Sequence, residues 1–270
     1  MRKGRLSKIQ LSKGVYLLPS LCTTASMFLG FFAMIRSING DYYAASWAIL
    51  AATLFDTIDG RVARMMKTQS DFGREYDSLV DLASFGLAPA ILVYTWALSQ
   101  FKTVGWFFAF LYFACAALRL ARYNIQVGVI EKKHFNGLPT PAAAGLVATQ
   151  VMLYQNLWGE GAVKSLWALV FVPMLAVLMV SHVPYHSFKE LNLKRQNSFY
   201  LLLGAAVTVG VVAIKPDVML FIVFGLYVLS GPFAWLITVR KGSMKNVKVT
   251  YRTKKLSVAE AVEEETREIH

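Results

Sequence analysis

Charge and cysteine are both scarce in this chain of 270 residues. Only 16% of its residues are Asp, Glu, Lys or Arg, whereas soluble domains average about 25%. This scarcity, together with 56% hydrophobic residues, excludes an ordinary soluble domain and indicates an integral membrane protein. The two cysteines, Cys22 and Cys115, lie within apolar runs, so neither a disulfide framework nor a cysteine-based metal site is expected.

The charges that are present are mostly positive. Lys and Arg number 28 against 16 Asp and Glu, which gives a net charge of +12. These basic residues are spread over short segments between apolar runs, a pattern typical of the cytoplasmic loops of membrane proteins. We therefore expect a lipid bilayer as a partner and no nucleic acid.

Eight apolar runs approach the length of about 20 residues that a membrane-spanning helix needs. They lie at residues 15–36, 43–65, 77–99, 103–125, 139–157, 164–184, 198–214 and 218–239. Lys and Arg concentrate before the first run, after every second run and after the last one, and such segments face the cytoplasm. The expected fold is an all-α, polytopic membrane bundle of about eight transmembrane helices, with both termini in the cytoplasm.

Three regions follow from this pattern. Residues 1–14 are expected to form a basic juxtamembrane segment and not a cleaved signal peptide, because the next apolar run is too long and lacks a small-residue cleavage site. Residues 15–240 form one membrane domain, and residues 241–270 form a polar cytoplasmic tail.

Four acids stand out at the ends of the second and third apolar runs. In a helix, residues three and four apart share a face. One face of the second helix carries Asp56, Asp59, Gly60, Ala63, Arg64 and Lys67. One face of the third carries Gly73, Asp77, Asp81 and Ser84. If these two helices pack together, the four carboxylates converge beside a slot lined by small residues.

Four carboxylates that converge in this way need a source of positive charge to balance them. One Asp at the bilayer centre costs about 2.5–3.5 kcal/mol on insertion scales, and ionised carboxylates that lie close together repel one another. Two divalent cations would balance four negative charges, and oxygen ligands suit Mg²⁺ or Mn²⁺. A pair of metals about 3.5–4 Å apart can clamp the attacking and leaving oxygens of a phosphoryl displacement. The alternative is helix-end ion pairs with Arg61, Arg64 and Arg74.

The acids also belong to a longer motif. The pattern D-x-x-D-G-x-x-A-R, followed after eight residues by G-x-x-x-D-x-x-x-D, resembles the signature of the CDP-alcohol phosphotransferase family. Four more stretches resemble the phosphatidylserine synthase branch of that family: DLASFGLAPA at 81–90, ALRLARYN at 117–124, FNGLPTPAAAG at 135–145 and VPYHSFKEL at 183–191. The last two apolar runs and the tail carry no such stretch.

The resemblance implies a reaction in which the phosphatidyl group of CDP-diacylglycerol passes to the hydroxyl of L-serine, giving phosphatidylserine and CMP. It implies two Mg²⁺ or Mn²⁺ ions, with Asp81 as the general base. The implied metal ligands are Asp56, Asp59, Asp77 and Asp81. The implied CDP-lipid contacts are Asp59, Gly60, Ala63, Arg64, Lys67, Gly73 and Asp77. It further implies a homodimer in a bacterial cytoplasmic membrane, with the active site facing the cytoplasm.

The acceptor site is less defined by the motif. Candidates for L-serine binding are Ser84, Arg119, Arg122 and Asn124, because the planar fork of Arg suits a carboxylate. The two arginines could equally be cytoplasmic anchors of their helix. Two rival functions also remain: a related transferase that uses glycerol 3-phosphate or inositol as acceptor, and a cation carrier that uses the four acids.

Overall fold

Helices make up nearly all of the part of the chain that the computed structural model describes, namely residues 3–66, 71–126, 134–159, 161–186 and 214–240. The α-helices are α1 (Lys3–Ile38), α2 (Tyr42–Met66), α3 (Asp71–Asp81), α4 (Ala88–Val93), α5 (Lys102–Gln126), α6 (Thr140–Trp158), α7 (Leu166–Val180) and α8 (Pro216–Arg240). The other described elements are two π-helical turns (Leu82–Leu87 and Tyr94–Leu98), a 3₁₀ turn (Ser99–Phe101) and two short strands, β1 (His134–Asn136) and β2 (Pro184–His186).

The helices coincide with the predicted apolar runs to within a few residues at most ends. The helix α1 begins at Lys3 and continues into the first apolar run, so residues 3–14 of the predicted basic segment are helical. The sixth predicted run, at 164–184, is too long, because the helix α7 begins at Leu166 and ends at Val180. Apart from Ile214, the run at 198–214 lies outside the described residues, as do Lys67 and the tail at 241–270.

Several helices are compatible with a membrane bundle. Within the described residues, three helical stretches are long and apolar enough to cross a bilayer: Leu21–Ile38, Phe72–Ile125 and Pro216–Leu236. The helix at Leu166–Val180 is apolar but shorter. The count of eight spans and the orientation of the termini remain predictions.

The two sides of the helices differ in a way that suits a lipid environment. Large apolar side chains point away from the bundle, as Phe28, Leu118, Val170 and Leu226 do with exposed fractions of 62–64%. The interior contains many alanines instead, for example Ala52 and the run at 142–144. Small residues let helix backbones approach closely, which is how helices commonly associate where lipid removes most of the hydrophobic driving force.

The chain from Asp71 to Phe101 is helical throughout but not regular. Leu82–Leu87 and Tyr94–Leu98 are π-helical, with α4 between them. The third predicted run is therefore a helix that alternates between α-helical and π-helical segments. Such π-helical turns are frequent at functional sites. The first π-helical turn begins directly after Asp81, so it ends the regular spacing of the acid-bearing face.

A tight reversal follows at Lys102, whose φ of 49° lies in the left-handed region. The helix α5 then packs back against the π-helical turns and α4. Gly105 permits this close approach, because a Cβ at that position would overlap the carbonyl of Leu98.

The described fold is all-helical as expected, apart from one short ribbon of two strands. They pair antiparallel, with Phe135 opposite Tyr185, and join the segment after α5 to the segment after α7. Backbone hydrogen bonds extend the junction, from Gly137 N to Val183 O at 2.9 Å and from Leu138 N to Leu178 O at 3.0 Å. Strands of three residues are too short to show the alternation by which a strand is predicted.

The packing of the helices brings the acids together. The helix α2 begins where the Asp41 carboxylate accepts the Ala44 N–H at 3.1 Å, and α1 packs along α2. The same helix α1 also contacts α3 and the first π-helical turn, so it bridges the two acid-bearing helices. The opposite side of the bundle is formed by α5 against α7 and by α6, which contacts both α2 and α8.

The contact of α1 with the π-helical turn depends on Gly30. A Cβ at Gly30 would lie 2.5 Å from Ser84 Oγ and 2.8 Å from Ser84 Cα, whereas a Cβ at Gly225 would have its nearest neighbour at 4.0 Å. Because overpacking a close contact costs about 1–3 kcal/mol, Gly30→Ala should lower the Tm in detergent micelles. Gly225→Ala is the matched control and should keep or raise the Tm, since Ala favours a helix over Gly by about 1 kcal/mol. Equal Tm values for the two variants would contradict this account of the contact.

Candidate active site

Carboxylates from two helices meet at one point. Asp56 and Asp59 lie on α2 and Asp77 lies on α3, and one oxygen from each lies within 4.8 Å of the others. Asp59 is nearly inaccessible, at 4% exposed, while Asp56 and Asp77 are half-buried. The convergence expected from the two helix faces is thus observed.

Asp81 is the fourth member of the group, one helical turn beyond Asp77. Its carboxyl is in hydrogen-bond contact with the carboxyl of Asp56. An ionised carboxylate only accepts hydrogen bonds, so such a contact requires a proton or a cation between the two groups. In addition, Asp81 Oδ1 and Asp59 Oδ2 are buried and have no hydrogen-bond partner within the described part of the chain.

The donor set of this acid cluster, defined as Asp56, Asp59, Asp77 and Asp81, fits divalent cations. All its ligand atoms are hard carboxylate oxygens, two of them are buried without a partner, and three of its residues can reach one ion together. Of the arginines in the ion-pair alternative, Arg74 has its Nη2 3.5 Å from Glu75 Oε1. Of Arg61 and Arg64 only the backbone is described.

The first helix contributes hydroxyl groups that the sequence reasoning missed. The Thr23 hydroxyl donates to the Asp59 carboxylate, and the Thr24 and Tyr76 hydroxyls lie 3.0 Å apart. Ser26 Oγ donates to the carbonyl of Ala52 on α2 at 3.1 Å. The available signal was the stretch CTTAS at 22–26, in which hydroxyl residues interrupt an apolar run.

Arg119 is a basic residue whose electrostatic neighbours include Asp81 of the acid cluster. It lies on α5 and is only 8% exposed. Its Nη1 donates to Thr140 Oγ1 at the start of α6, at 3.2 Å, while its Nε is buried and has no partner among the described residues. A buried guanidinium with an unused N–H is suited to bind an anion, because Arg offers several donors in a fixed plane.

The other three candidates for the acceptor site are already engaged. Arg122 Nη2 donates to the carbonyls of Val180 at 2.9 Å and Ser181 at 3.3 Å, and thereby caps the C-terminal end of α7. Asn124 Nδ2 donates to Ser78 Oγ at 2.9 Å, which ties α5 to α3.

Ser84 is fully buried, and its Oγ donates to the carbonyl of Ser26 on α1 at 3.1 Å. The π-helical geometry after Asp81 accounts for this, because it changes the direction in which the side chain leaves the helix. Among the four candidates, Arg119 has a buried hydrogen-bonding atom, Nε, that lacks a partner within the residues that the structure describes.

The remaining residues of the predicted nucleotide slot are described only in part. Gly60 and Gly73 are half-buried on the acid-bearing helices, and the Gly60 N–H donates to the Asp59 carboxylate. Of Ala63 only the backbone is described, as for Arg64, and Lys67 lies outside the described residues. Their contacts with a CDP-lipid stay predictions.

Comparison with known proteins agrees with this site. The family model of CDP-alcohol phosphatidyltransferase matches residues 16–184, which include all four acids and Arg119. A CDP-diacylglycerol–serine O-phosphatidyltransferase of Helicobacter pylori (strain ATCC 700392 / 26695) is 37% identical over 232 residues, covering 84% of this chain and 94% of the relative. The enzyme of that name from Mycobacterium tuberculosis (strain ATCC 25618 / H37Rv) is 32% identical over 227 residues, covering 81% and 78%.

Another relative has a different name. The archaetidylserine synthase of Methanothermobacter thermautotrophicus is 35% identical over 170 residues, which cover 62% of this chain and 69% of the relative. The extent of the family match, together with the identity to relatives that this chain covers almost completely, shows that the chain belongs to the CDP-alcohol phosphatidyltransferase family.

Proposed function

We propose that this protein is a CDP-diacylglycerol–serine O-phosphatidyltransferase, which transfers the phosphatidyl group of CDP-diacylglycerol to the hydroxyl of L-serine. The observation that carries the proposal is the acid cluster, in which α2 and α3 bring carboxylates together beside the buried guanidinium of Arg119. The names of the most similar relatives support L-serine as the acceptor. Family membership also disfavours the cation-carrier alternative.

On the donor side, Asp56, Asp59 and Asp77 are proposed to hold two divalent cations, Mg²⁺ or Mn²⁺, with Asp81 near enough to take part. When bound, such ions neutralise the diphosphate of the CDP-lipid and the charge that develops on departing CMP. The Thr23 hydroxyl and the Gly60 N–H hold the Asp59 carboxylate in a fixed orientation. The glycines and Ala63 leave space for the nucleotide, and Arg64 and Lys67 are proposed phosphate contacts.

Asp81 is the proposed general base. It takes the proton of the serine hydroxyl as the hydroxyl oxygen forms a bond to the phosphorus that bears the diacylglycerol. The bond from that phosphorus to the CMP oxygen breaks, and CMP leaves with the electron pair. A hydroxyl is a weak nucleophile at neutral pH, and a positioned base typically contributes about 10²–10⁴ in rate.

Arg119 is the proposed partner of the serine carboxylate. Its unused Nε–H and its position beside Asp81 favour an acceptor that carries an anion close to the attacking hydroxyl. Inositol lacks such an anion, whereas L-serine and glycerol 3-phosphate both have one. The buried guanidinium thus disfavours inositol, and the relatives' names favour L-serine over glycerol 3-phosphate.

The setting of the reaction is also part of the proposal. The loop charges support a site that faces the cytoplasm, where water-soluble serine meets a lipid held in the membrane. We further propose a bacterial cytoplasmic membrane and a homodimer, in line with the family resemblance.

The direct test measures release of CMP from CDP-diacylglycerol by the purified full-length protein in mixed micelles. CMP release should depend on added L-serine and should produce phosphatidylserine. Glycerol 3-phosphate and inositol, offered at the same concentration, should give no product. Turnover with either of those two and not with L-serine would overturn the choice of acceptor but keep the reaction class.

The cation ligands generate the next prediction. Asp56→Asn, Asp59→Asn or Asp77→Asn removes one anionic ligand, so each should reduce turnover to near background and weaken Mn²⁺ binding measured by electron paramagnetic resonance. Asp41→Asn is the matched control, since Asp41 pairs with Arg36 at 3.2 Å near the start of α2, far from the cluster. Full wild-type activity in the presence of EDTA would show that no cation is required.

The role of Asp81 as general base can be distinguished from the role of the cation ligands. Asp81→Asn preserves size but cannot take a proton, so turnover should fall by about 10²–10⁴. CDP-lipid affinity should stay near the wild-type value in this variant and fall in Asp77→Asn, because the other three acids still hold the cations in the first case. If Asp81→Asn turns over at a near-normal rate, Asp81 is not the base.

The acceptor role of Arg119 can be tested against its neighbour on α5. Arg119→Lys keeps the positive charge but loses the planar fork, and it should raise the KM for L-serine by about tenfold or more while the KM for CDP-diacylglycerol changes little. Arg122→Lys removes a guanidinium that caps α7, so it should lower the Tm and leave both KM values near wild type. The reverse pattern would assign the carboxylate to Arg122.

A further inference from the structure

Thr140, the first residue of α6, makes a contact to which the proposed reaction assigns no role. Its side chain is fully buried, and its Oγ1 accepts a hydrogen bond from Nη1 of Arg119 at 3.2 Å. The two residues lie on neighbouring helices, so this bond joins α6 to the guanidinium that α5 carries. The orientation of that guanidinium therefore depends on Thr140.

The hydroxyl of Thr140 is not used as a helix cap. Threonine near the start of a helix commonly accepts a bond from a backbone N–H of the first turn. Here the cap position itself is Pro139, which makes no side-chain cap bond, and the next position after Thr140 is Pro141, which has no N–H to donate. The contact with Arg119 takes the place of a bond to the helix backbone.

The backbone before Thr140 is tied to the end of α7. Gly137 N donates to Val183 O at 2.9 Å, and Leu138 N donates to Leu178 O at 3.0 Å. Leu138 is also fully buried. Because the backbone is held in this way up to two residues before the helix starts, the Thr140 hydroxyl is a fixed point for the longer and more flexible side chain of Arg119.

The identity of the bonded nitrogen decides which edge of the guanidinium is engaged. A guanidinium can bind a carboxylate through two parallel hydrogen bonds, either from its end, with Nη1 and Nη2, or from its side, with Nε and Nη2. Thr140 bonds Nη1, which belongs only to the end. Nε belongs only to the side, and it is buried with no partner among the described residues. The contact thus engages the end of Arg119 and keeps the side edge for an anion.

The position of the two helices places this side edge near the proposed base. Both α5 and α6 pack against the π-helical turn Leu82–Leu87. That turn begins directly after Asp81. An anion bound by the buried Nε–H of Arg119 would therefore lie in the part of the bundle to which Asp81 leads.

We propose that Thr140 is a positioning residue for the acceptor: its hydroxyl holds Nη1 of Arg119, so that the edge formed by Nε and Nη2 receives the acceptor's carboxylate. Without this bond the guanidinium can rotate, and ordering it on binding costs affinity. The inference rests on the proposed function for the identity of the acceptor, and on the bond to Thr140 for the choice of edge.

The test is steady-state kinetics of the full-length protein in mixed micelles, with Thr140→Val and Thr140→Ser. Valine keeps the shape of threonine but has no hydroxyl, so it should raise the KM for L-serine by about tenfold. The kcat and the KM for CDP-diacylglycerol should stay near wild type, because the contact acts on the acceptor's carboxylate and not on the reacting atoms. Serine keeps the hydroxyl and should give a KM for L-serine near the wild-type value.

Thr149→Val is the matched control on the same helix. Thr149 is also fully buried, but its Oγ1 donates to the carbonyl of Gly145 within α6, at 2.8 Å. The substitution makes the same chemical change away from Arg119, so all three kinetic constants should match the wild type.

Three outcomes would overturn the inference: an unchanged KM for L-serine in Thr140→Val, an equal rise in Thr149→Val, or no recovery in Thr140→Ser. A purely structural role for Thr140 would lower the Tm or the active fraction and leave the KM for L-serine unchanged. If Thr140→Val does not fold, Thr140→Ala and Thr140→Ser give the same comparison, since they differ only by the hydroxyl. Failure of the proposed function is separately visible as a lack of L-serine turnover in the wild type.

Discussion

Four carboxylates on α2 and α3 repel one another, and the apolar bundle around them supplies little water to screen their charges. The neighbouring groups oppose this repulsion. Thr23 and the Gly60 N–H donate to Asp59, and the charge of Arg119 faces Asp81. The repulsion that these groups leave must be offset by protons shared between carboxyl groups or by bound cations. Much of the packing near the cluster can be understood as the means of keeping like charges together.

The site has two halves that meet at Asp81. The helices α1, α2 and α3 surround the proposed donor side, with α1 supplying hydroxyls in place of further acids. The helices α5 and α6 form the proposed acceptor side, where Arg119 is the central group. Asp81 touches Asp56 on the first side and faces Arg119 on the second. A base located at that junction can reach a hydroxyl that belongs to one substrate and attacks the other.

Much of this arrangement follows from the sequence, because long apolar runs predict helices and a spacing of three or four residues predicts a shared helix face. The convergence of Asp56, Asp59, Asp77 and Asp81 needed only those rules and the packing of two helices. Other features depend on tertiary contacts. Arg119 and Arg122 look equivalent three residues apart, yet only the second meets the free carbonyls at the end of α7.

The π-helical turn after Asp81, the short ribbon of β1 and β2, and the bond from Thr23 to Asp59 depend in the same way on neighbours that are distant in sequence. Local propensity does not predict these features, since each is one of several hydrogen-bond patterns of similar energy. The residues that orient the acidic groups are thus harder to predict than the acids themselves.

The late position of α8 in the sequence has a consequence for biogenesis. All four acids precede residue 82, whereas α8 begins at Pro216 and emerges from the ribosome much later. At about 5–20 residues per second, the interval is on the order of 10 s. During that time the growing chain carries the acid-bearing helices but lacks the helix that packs against α6 and β2. Docking of α8 is therefore a late step in the assembly of the bundle, and it comes after the helices that bring the acids together have been made.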